Sequence, residues 1–434
     1  MAVFILITFI VFCVGALVQP RWSLALLLLM YPLEQAVQGS VPLFIENPSW
    51  INYIVGIVVV VSTILGWLQG KINTTSYFNL VSIAFISGYA YSFISYLWTP
   101  SQDKSWTMIS EGCPYFVMYI IIAPLLIGDI KDWNRVLLIT MVFGLASSIA
   151  ILLSPSFTLT GGRLGFNFTS KIRSSPLAIG ELGGFLILTS SLLMFEQRRY
   201  WIIMVQILSL VCGIILSVFS GSRGQFFFSV FLVIIFFPLS RPIKNLSQFF
   251  LTTFSSIALL LIIIIIGYLL LGDVDITNRW LSGQKTEEAI GVRIENFLDL
   301  LNGFMRRPSS WLLGQGVNAF TSISNSQEPY SHIMFLDVLV EMGLLAFTIL
   351  IVCLFNIFKR ARELLLYTST NPQLKSSAVV LLALCSYQLL LMNKQGELWS
   401  SEHTIVYFLL LVKVALSTQI ETEFAESIAE PEPA

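Results

Sequence analysis

The chain has 434 residues, 56% of them hydrophobic and 11% charged, with a mean hydropathy of +0.81. Globular domains carry about a quarter charged residues, so this composition excludes a soluble domain and points to an integral membrane protein. With 24 Lys and Arg against 25 Asp and Glu the net charge is −1, which leaves no basic footprint for nucleic acid and makes the cations matter by position rather than by sum.

Residues 1–19 contain no Lys or Arg, and no small-residue cleavage pattern follows them, which argues against a removed signal peptide. Arg21 just after this run places the N-terminus away from the cytoplasm. Runs long enough to cross a bilayer, roughly 17–25 residues, fall near 3–19, 51–69, 78–99, 112–128, 136–153, 177–195, 201–219, 225–240, 249–271, 333–357, 376–392 and 404–418. The shorter run 22–36 either spans or lies partly re-entrant together with Pro42 and Pro48. The prediction is an all-α polytopic fold of about 12 or 13 transmembrane helices, forming one membrane domain over residues 1–420.

Short loops that carry Lys or Arg are retained in the cytoplasm. Arg21, Lys71, Lys131 with Arg135, Arg198 with Arg199, Arg241 with Lys244, and Lys359 with Arg360 and Arg362 fall on alternating connections and are assigned there. The opposite loops are then external: 37–50, 100–110, 154–175, the Gly221–Gly224 turn, the long 272–332 segment and 393–403. Several cations sit there against the positive-inside bias, among them Arg163, Arg173, Arg223, Arg293, Arg306 and Arg307, and this points to an anionic ligand on that face. The tail from Glu421 is acidic, contains Pro and has no apolar period, so residues 421–434 are expected to be disordered and cytoplasmic. Cys13, Cys113, Cys212, Cys353 and Cys385 are scattered, which argues against disulfides or a metal cluster.

The candidate chemistry lies in the external segments. The loop 154–175 offers Arg163 and Arg173 for a pyrophosphate or an acidic sugar, or equally for lipid headgroups. Arg223 stands in the turn Ser220-Gly221-Ser222-Arg223-Gly224, where a planar guanidinium suits phosphate oxygens; a snorkelling helix-end arginine is the plainer alternative. Asp273-Val274-Asp275 forms an Asp-x-Asp, more simply read as a water-boundary marker than as a metal ligand. From Arg293 to Gly343 a stretch of polar, aromatic and Gly-rich residues runs into an apolar helix. Ile294, Phe297, Leu298, Leu301 and Phe304 recur at three- and four-residue spacing, predicting an amphipathic helix over 290–306 that lies on a membrane or on neighbouring helices. Pro308 ends it, and Gly314-Gln315-Gly316 is expected to form an anion-binding nest of backbone N–H groups. Ser331 is expected to cap the next helix, with His332 held neutral at its N-terminus and able to accept a hydroxyl proton. His403 has no comparable context and reads as interfacial.

The order Arg293, Leu313-Gly314-Gln315-Gly316 with Phe320, Ser331-His332, then Glu341-Met342-Gly343-Leu344-Leu345 resembles the O-antigen ligase and Wzy-type polymerase superfamily, over roughly residues 205–350. Ser220–Gly224 is similar to the short arginine motif of that superfamily. The resemblance implies a GT-C-like fold at the bacterial cytoplasmic membrane, with its active site facing the periplasm or exterior and built on the 272–332 loop. It implies an undecaprenyl-pyrophosphate-linked glycan as donor, a glycan or glycolipid as acceptor, and inversion without a nucleotide sugar; the poor ligand set and the cations already placed to neutralise pyrophosphate predict that no metal or other cofactor is needed. By the same resemblance Arg223 and Arg293 stabilise the leaving pyrophosphate and the catalytic His332 orients or deprotonates the acceptor, while Arg163, Arg173, Gly314 and Gly316 are expected to bind substrate. Chain-length regulators and flippases are the protein partners implied. Polymerase and ligase stay open, and the reading from another class is a polysaccharide transporter or flippase.

Overall fold

The computed structural model describes residues 1–160, 162–166, 175–195, 199–241, 245–251, 284–324, 331, 333–395 and 401–429, with isolated residues between 253 and 265. In chain order the helices are α1 Ala2–Val18, α2 Pro20–Leu28, α3 Met30–Gln38, α4 Pro42–Glu46, α5 Trp50–Leu68, α6 Leu80–Ser95, α7 Gln102–Tyr115, α8 Ile130–Leu153, α9 Pro176–Leu192, α10 Tyr200–Phe219 and α11 Arg223–Ser240. They continue with α12 Gln284–Arg306, α13 Phe320–Ile323, α14 Met334–Tyr367, α15 Pro372–Gln395 and α16 Glu402–Ala429. A hairpin of β1 Phe157–Thr160 and β2 Arg163–Phe166 is the sheet among the described residues.

Among the described residues, eight helical runs are long and apolar enough to cross a membrane: α5, Gln102–Leu126, α8, α10, α11, α14, α15 and α16. The apolar helices α1, α6 and α9 are shorter. The chain is therefore an all-α polytopic membrane protein. The run 249–271 falls largely outside the described residues. Segment 22–36 forms no single span: α2 and α3 are nine-residue helices separated at Leu29, whose φ −101 and ψ 5 leave the α region. Both are largely buried, which is how so apolar a stretch avoids water without crossing the bilayer alone.

Two expectations about loops are corrected. Of residues 100–110, assigned to a loop, 102–110 belong to α7, whose polar first turn hides it from a hydropathy window. Pro114 lies inside α7, and the chain passes directly into a π-helical turn at Phe116–Ile122 and a 3₁₀ turn at Ala123–Leu126; a proline without an N–H donor accounts for the altered winding. At the other end, α16 stays helical through Ala429, past the Glu421 at which disorder is expected. Extending a formed helix adds a hydrogen bond per residue without a new nucleus, and no proline intervenes before Pro431.

The chain divides into two compact units. The first comprises Met1–Ile72, Leu126–Ser282 and Leu365–Tyr387. Its α9 lies close on α10, for a Cβ at Gly183 would stand 2.6 Å from the Gly213 carbonyl oxygen, so only glycine admits this approach. At one end Arg21 pairs with Asp132 at 2.5 Å, Trp133 Nε1 donates to the Ser377 carbonyl at 3.2 Å, and the Met194 amide donates to Ser376 Oγ at 2.9 Å. At the other, Ser154 Oγ donates to the Gly39 carbonyl at 3.1 Å, the Ser175 amide to Gln35 Oε1 at 2.9 Å, and Gln225 Nε2 to the Leu177 carbonyl at 2.7 Å. Each set joins segments that the alternation of charged loops assigns to one face.

The second unit comprises Asn73–Leu125, Gly283–Leu364 and Gln388–Ala434. Lys413, in the middle of α16, is 1% exposed, and its ammonium donates to the carbonyls of Asn73 at 2.8 Å and Pro124 at 2.7 Å. A buried cation needs such acceptors, and here they come from the segment preceding α6 and from the 3₁₀ turn after the π-helical turn. Tyr77 reinforces the joint by donating to the Ile120 carbonyl at 3.1 Å.

Candidate functional site

In the first unit the arginine motif forms a helix start. Ser220, Gly221 and Ser222 make the turn, with Gly221 at φ 64, and Arg223 is the first residue of α11. The Ser222 amide donates to Ser220 Oγ at 3.2 Å, and the buried Gln225 ties the turn to α9 through Leu177. Arg223 is half-buried, and as the first residue of α11 it stands at the positive end of that helix dipole. Arg163 opens β2 after a turn that contains Gly162 at φ 70, with Thr160 opposite it in the antiparallel register. Arg163 is exposed overall, and partial burial of its guanidinium lowers its pKa from the usual arginine value without removing the charge. The sequence signal for this hairpin was present: two glycines stand between two short alternating runs, Thr158-Leu159-Thr160 and Arg163-Leu164-Gly165.

In the second unit α12 replaces the predicted 290–306 helix and begins earlier, at Gln284. Its packed edge is Asn296, Leu300 and Phe304, which recur every fourth residue. Leu300 and Phe304 form a small core with Phe320 and Val340, flanked by Ile323, Leu336 and Leu339. Arg293 is half-buried and lies one turn before Asn296.

Helix α14 is broken at Gly343, where φ 78 and ψ 179 are accessible to glycine almost alone. The break frees backbone groups on both sides, and the loop after α12 supplies their partners. The Gln315 amide donates to the Val340 carbonyl and the Gly316 amide to the Glu341 carbonyl, each at 2.9 Å. In return the Leu344 amide donates to the Trp311 carbonyl at 2.8 Å and the Leu345 amide to the Leu312 carbonyl at 3.4 Å. The two backbones touch so closely that a Cβ on Gly314 would lie 2.1 Å from the Glu341 carbonyl oxygen, and one on Gly343 would lie 2.4 Å from that of Leu312.

This joint corrects the anion nest. The Gly314 amide donates to the Ser310 carbonyl at 2.7 Å, and those of Gln315 and Gly316 are committed to α14, so the amides of the nest are spent inside the protein. Gly314 at φ 75 and Gly316 at φ 96 instead let the loop run against a helix backbone. The loop is bolted down further by hydroxyls that sequence reading missed. Val317 donates its amide to Ser95 Oγ at 3.0 Å, and its carbonyl accepts from Thr99 at 2.6 Å and Ser105 at 2.9 Å. Tyr91 donates to the Leu313 carbonyl. The recurrence of Ser and Thr at 95, 99, 101 and 105 was the available signal. Gln315 is buried and donates to the Gly303 carbonyl at 2.7 Å, and Glu341 Oε1 accepts the Phe320 amide at 3.2 Å.

Ser331 is buried and donates to Asp337 Oδ2 at 2.5 Å, while its oxygen accepts the Ile333 amide at 3.0 Å. The Leu336 and Asp337 amides both reach back to the Ile333 carbonyl, so Ile333 rather than Ser331 holds the cap position of α14. His332, Arg173, Asp273 and Asp275 lie outside the described residues. Arg163 and Arg223 belong to the first unit, and Arg293, Gly314 and Gly316 to the second. Comparison of the chain with family models and with curated proteins returns no match.

Proposed function

We propose that the chain is a GT-C-like membrane glycosyltransferase of the O-antigen polymerase and ligase superfamily, acting at the outer leaflet of the bacterial cytoplasmic membrane. An acceptor hydroxyl attacks the anomeric carbon of a glycan carried on undecaprenyl pyrophosphate. The new glycosidic C–O bond forms as the bond to pyrophosphate breaks, the pyrophosphate leaves with the electron pair, and the hydroxyl proton passes to His332. Arg223, backed by a helix N-terminus, and Arg293 supply positive charge to the leaving group. Arg163 and Arg173 bind the donor or its sugar.

One observation carries this reading. The separated elements of the motif, Leu313–Gly316 and Glu341–Gly343, meet backbone to backbone, so their common occurrence has a physical basis. The broken α14 is also the feature that favours a transporter, since discontinuous helices hold coupling ions. Here the Val340 and Glu341 carbonyls freed by the break accept amides of the 311–316 loop, which supports the transferase instead. The polymerase is the broader class and is preferred to the ligase on that ground.

The test is turnover by the purified full-length protein in lipid vesicles supplied with undecaprenyl-pyrophosphate-linked glycan. Release of undecaprenyl pyrophosphate together with a lengthened glycan is expected, and excess chelator should leave it intact. His332→Ala should fold and bind donor yet lose about 10²–10⁴ in rate, the usual contribution of a positioned base. Movement of intact donor across the vesicle with no transfer would replace this reading by the transporter, and chelator-sensitive activity restored by magnesium would promote Asp273 and Asp275.

A further inference from the structure

The packed edge of α12 leaves most of its apolar surface uncovered. Ile290, Ile294, Phe297, Leu298, Leu301 and Met305 form one continuous stripe, and all are exposed, Ile294 at 54% and Leu298 at 48%. At about 100° per residue the stripe lies beside the Asn296–Leu300–Phe304 edge and opposite Glu295, Asp299 and Arg306. So many apolar side chains are not left in water along one helix face without a partner.

The rest of the unit identifies that partner. The loop after α12 carries exposed Leu312 and Leu313, and its Trp311 and Leu312 carbonyls accept the amides of Leu344 and Leu345. Leu344 and Leu345 are themselves exposed and lie in α14, a helix apolar enough to cross a membrane. The loop tip is thus continuous with the lipid-facing side of a span. Trp311 connects the tip to the helix: its ring stacks on Phe304 at 5.8 Å, and its Nε1 donates to the Phe304 carbonyl at 2.8 Å. Exposed Arg306 and Arg307 stand at the junction, where cations meet headgroup phosphates.

We infer that α12 and the 311–313 tip form an in-plane membrane anchor, with the Ile290–Met305 stripe immersed in the interfacial region of the bilayer. The occupant of this face is lipid, not a second protein. The anchor fixes the depth of Arg293, which lies about 100° around the helix from Ile294, at the level of the headgroups. This holds whether or not the chain transfers glycans, because it rests on α12, the loop tip and α14 alone.

The experiment places p-benzoylphenylalanine at Phe297 or Leu298, and separately at Glu295 or Asn302, in full-length protein within vesicles of radiolabelled phosphatidylglycerol and phosphatidylethanolamine. Phe297 accepts the probe with little change of shape, and all four side chains are exposed. Irradiation should give several-fold more lipid adduct from 297 and 298 than from 295 and 302. Equal lipid labelling at all four positions would overturn the inference, and so would adducts between two copies of the chain at 297 and 298, which would make the stripe an oligomer contact.

Discussion

Gly343 is the residue on which the second unit turns. Its φ and ψ lie in a region essentially closed to other residues, and the space a Cβ would need is taken by the Leu312 carbonyl. Gly343→Ala should therefore cost at least about 1–3 kcal/mol, read as a lowered unfolding temperature of the detergent-solubilised protein, whereas Gly88→Ala, where a Cβ meets open space, should leave that temperature nearly unchanged. A Gly343→Ala protein as stable as the parent would show that the joint between loop and helix is dispensable. The arginines make a different demand. If Arg223 and Arg293 grip phosphate through the planar fork, Arg223→Lys and Arg293→Lys should each impair transfer strongly at normal membrane levels, since lysine keeps the charge and loses the geometry. Near-parental glycan from both would reduce them to topological anchors. Reading the sequence identified the glycines as a motif but gave them the wrong task, because a glycine pair that admits an anion and one that admits a backbone look alike until the partner carbonyls are placed.

At the level of elements, α12 shows how far periodicity reaches. The three- and four-residue spacing located the helix, yet of the five apolar residues that define it only Phe304 is buried, while Leu300, absent from that pattern, is fully covered. Amphipathicity locates a stripe and is silent on whether protein or lipid covers it. Leu300→Ala should cost about 2–5 kcal/mol by opening a cavity against Phe320 and Val340, and Leu298→Ala should cost far less, as measured by thermal unfolding of both variants in the same detergent. Equal losses would mean that the packed edge has been assigned to the wrong face. The break in α14 was illegible for a related reason. Gly343 follows Glu341 by two residues in an otherwise apolar run, and nothing local reveals that Trp311–Gly316, some thirty residues earlier, carries the complementary hydrogen bonds.

For the whole molecule, hydropathy located the eight runs among the described residues that are long and apolar enough to cross a membrane, against the about 12 or 13 helices predicted. The bonds Arg21–Asp132 and Met194–Ser376 at one end, and Ser154–Gly39 and Gln225–Leu177 at the other, link segments that the alternation of cations had grouped together. What hydropathy missed were helices with polar turns, as in α7, and short buried ones, as in α2 and α3, because length and apolarity are criteria for meeting lipid and not for meeting other helices. Reporter fusions should place 272–332 outside and 359–375 inside the cell. The same side for both would remove any access of a periplasmic substrate to Arg293.

The closed joint at Gly343 also has a schedule. A helix broken within the bilayer exposes carbonyls that lipid cannot satisfy. Here the loop partners lie earlier in the chain: Ser95 and Thr99 hold the loop through Val317, and the loop in turn holds Val340, Glu341, Leu344 and Leu345. Because the chain is made from its N-terminus, the receiving surface exists before the break leaves the ribosome. The discontinuous helix is born into a waiting template, and a circular permutant that delivers α14 ahead of residues 91–317 would have to hold those carbonyls open while its template was still being synthesised.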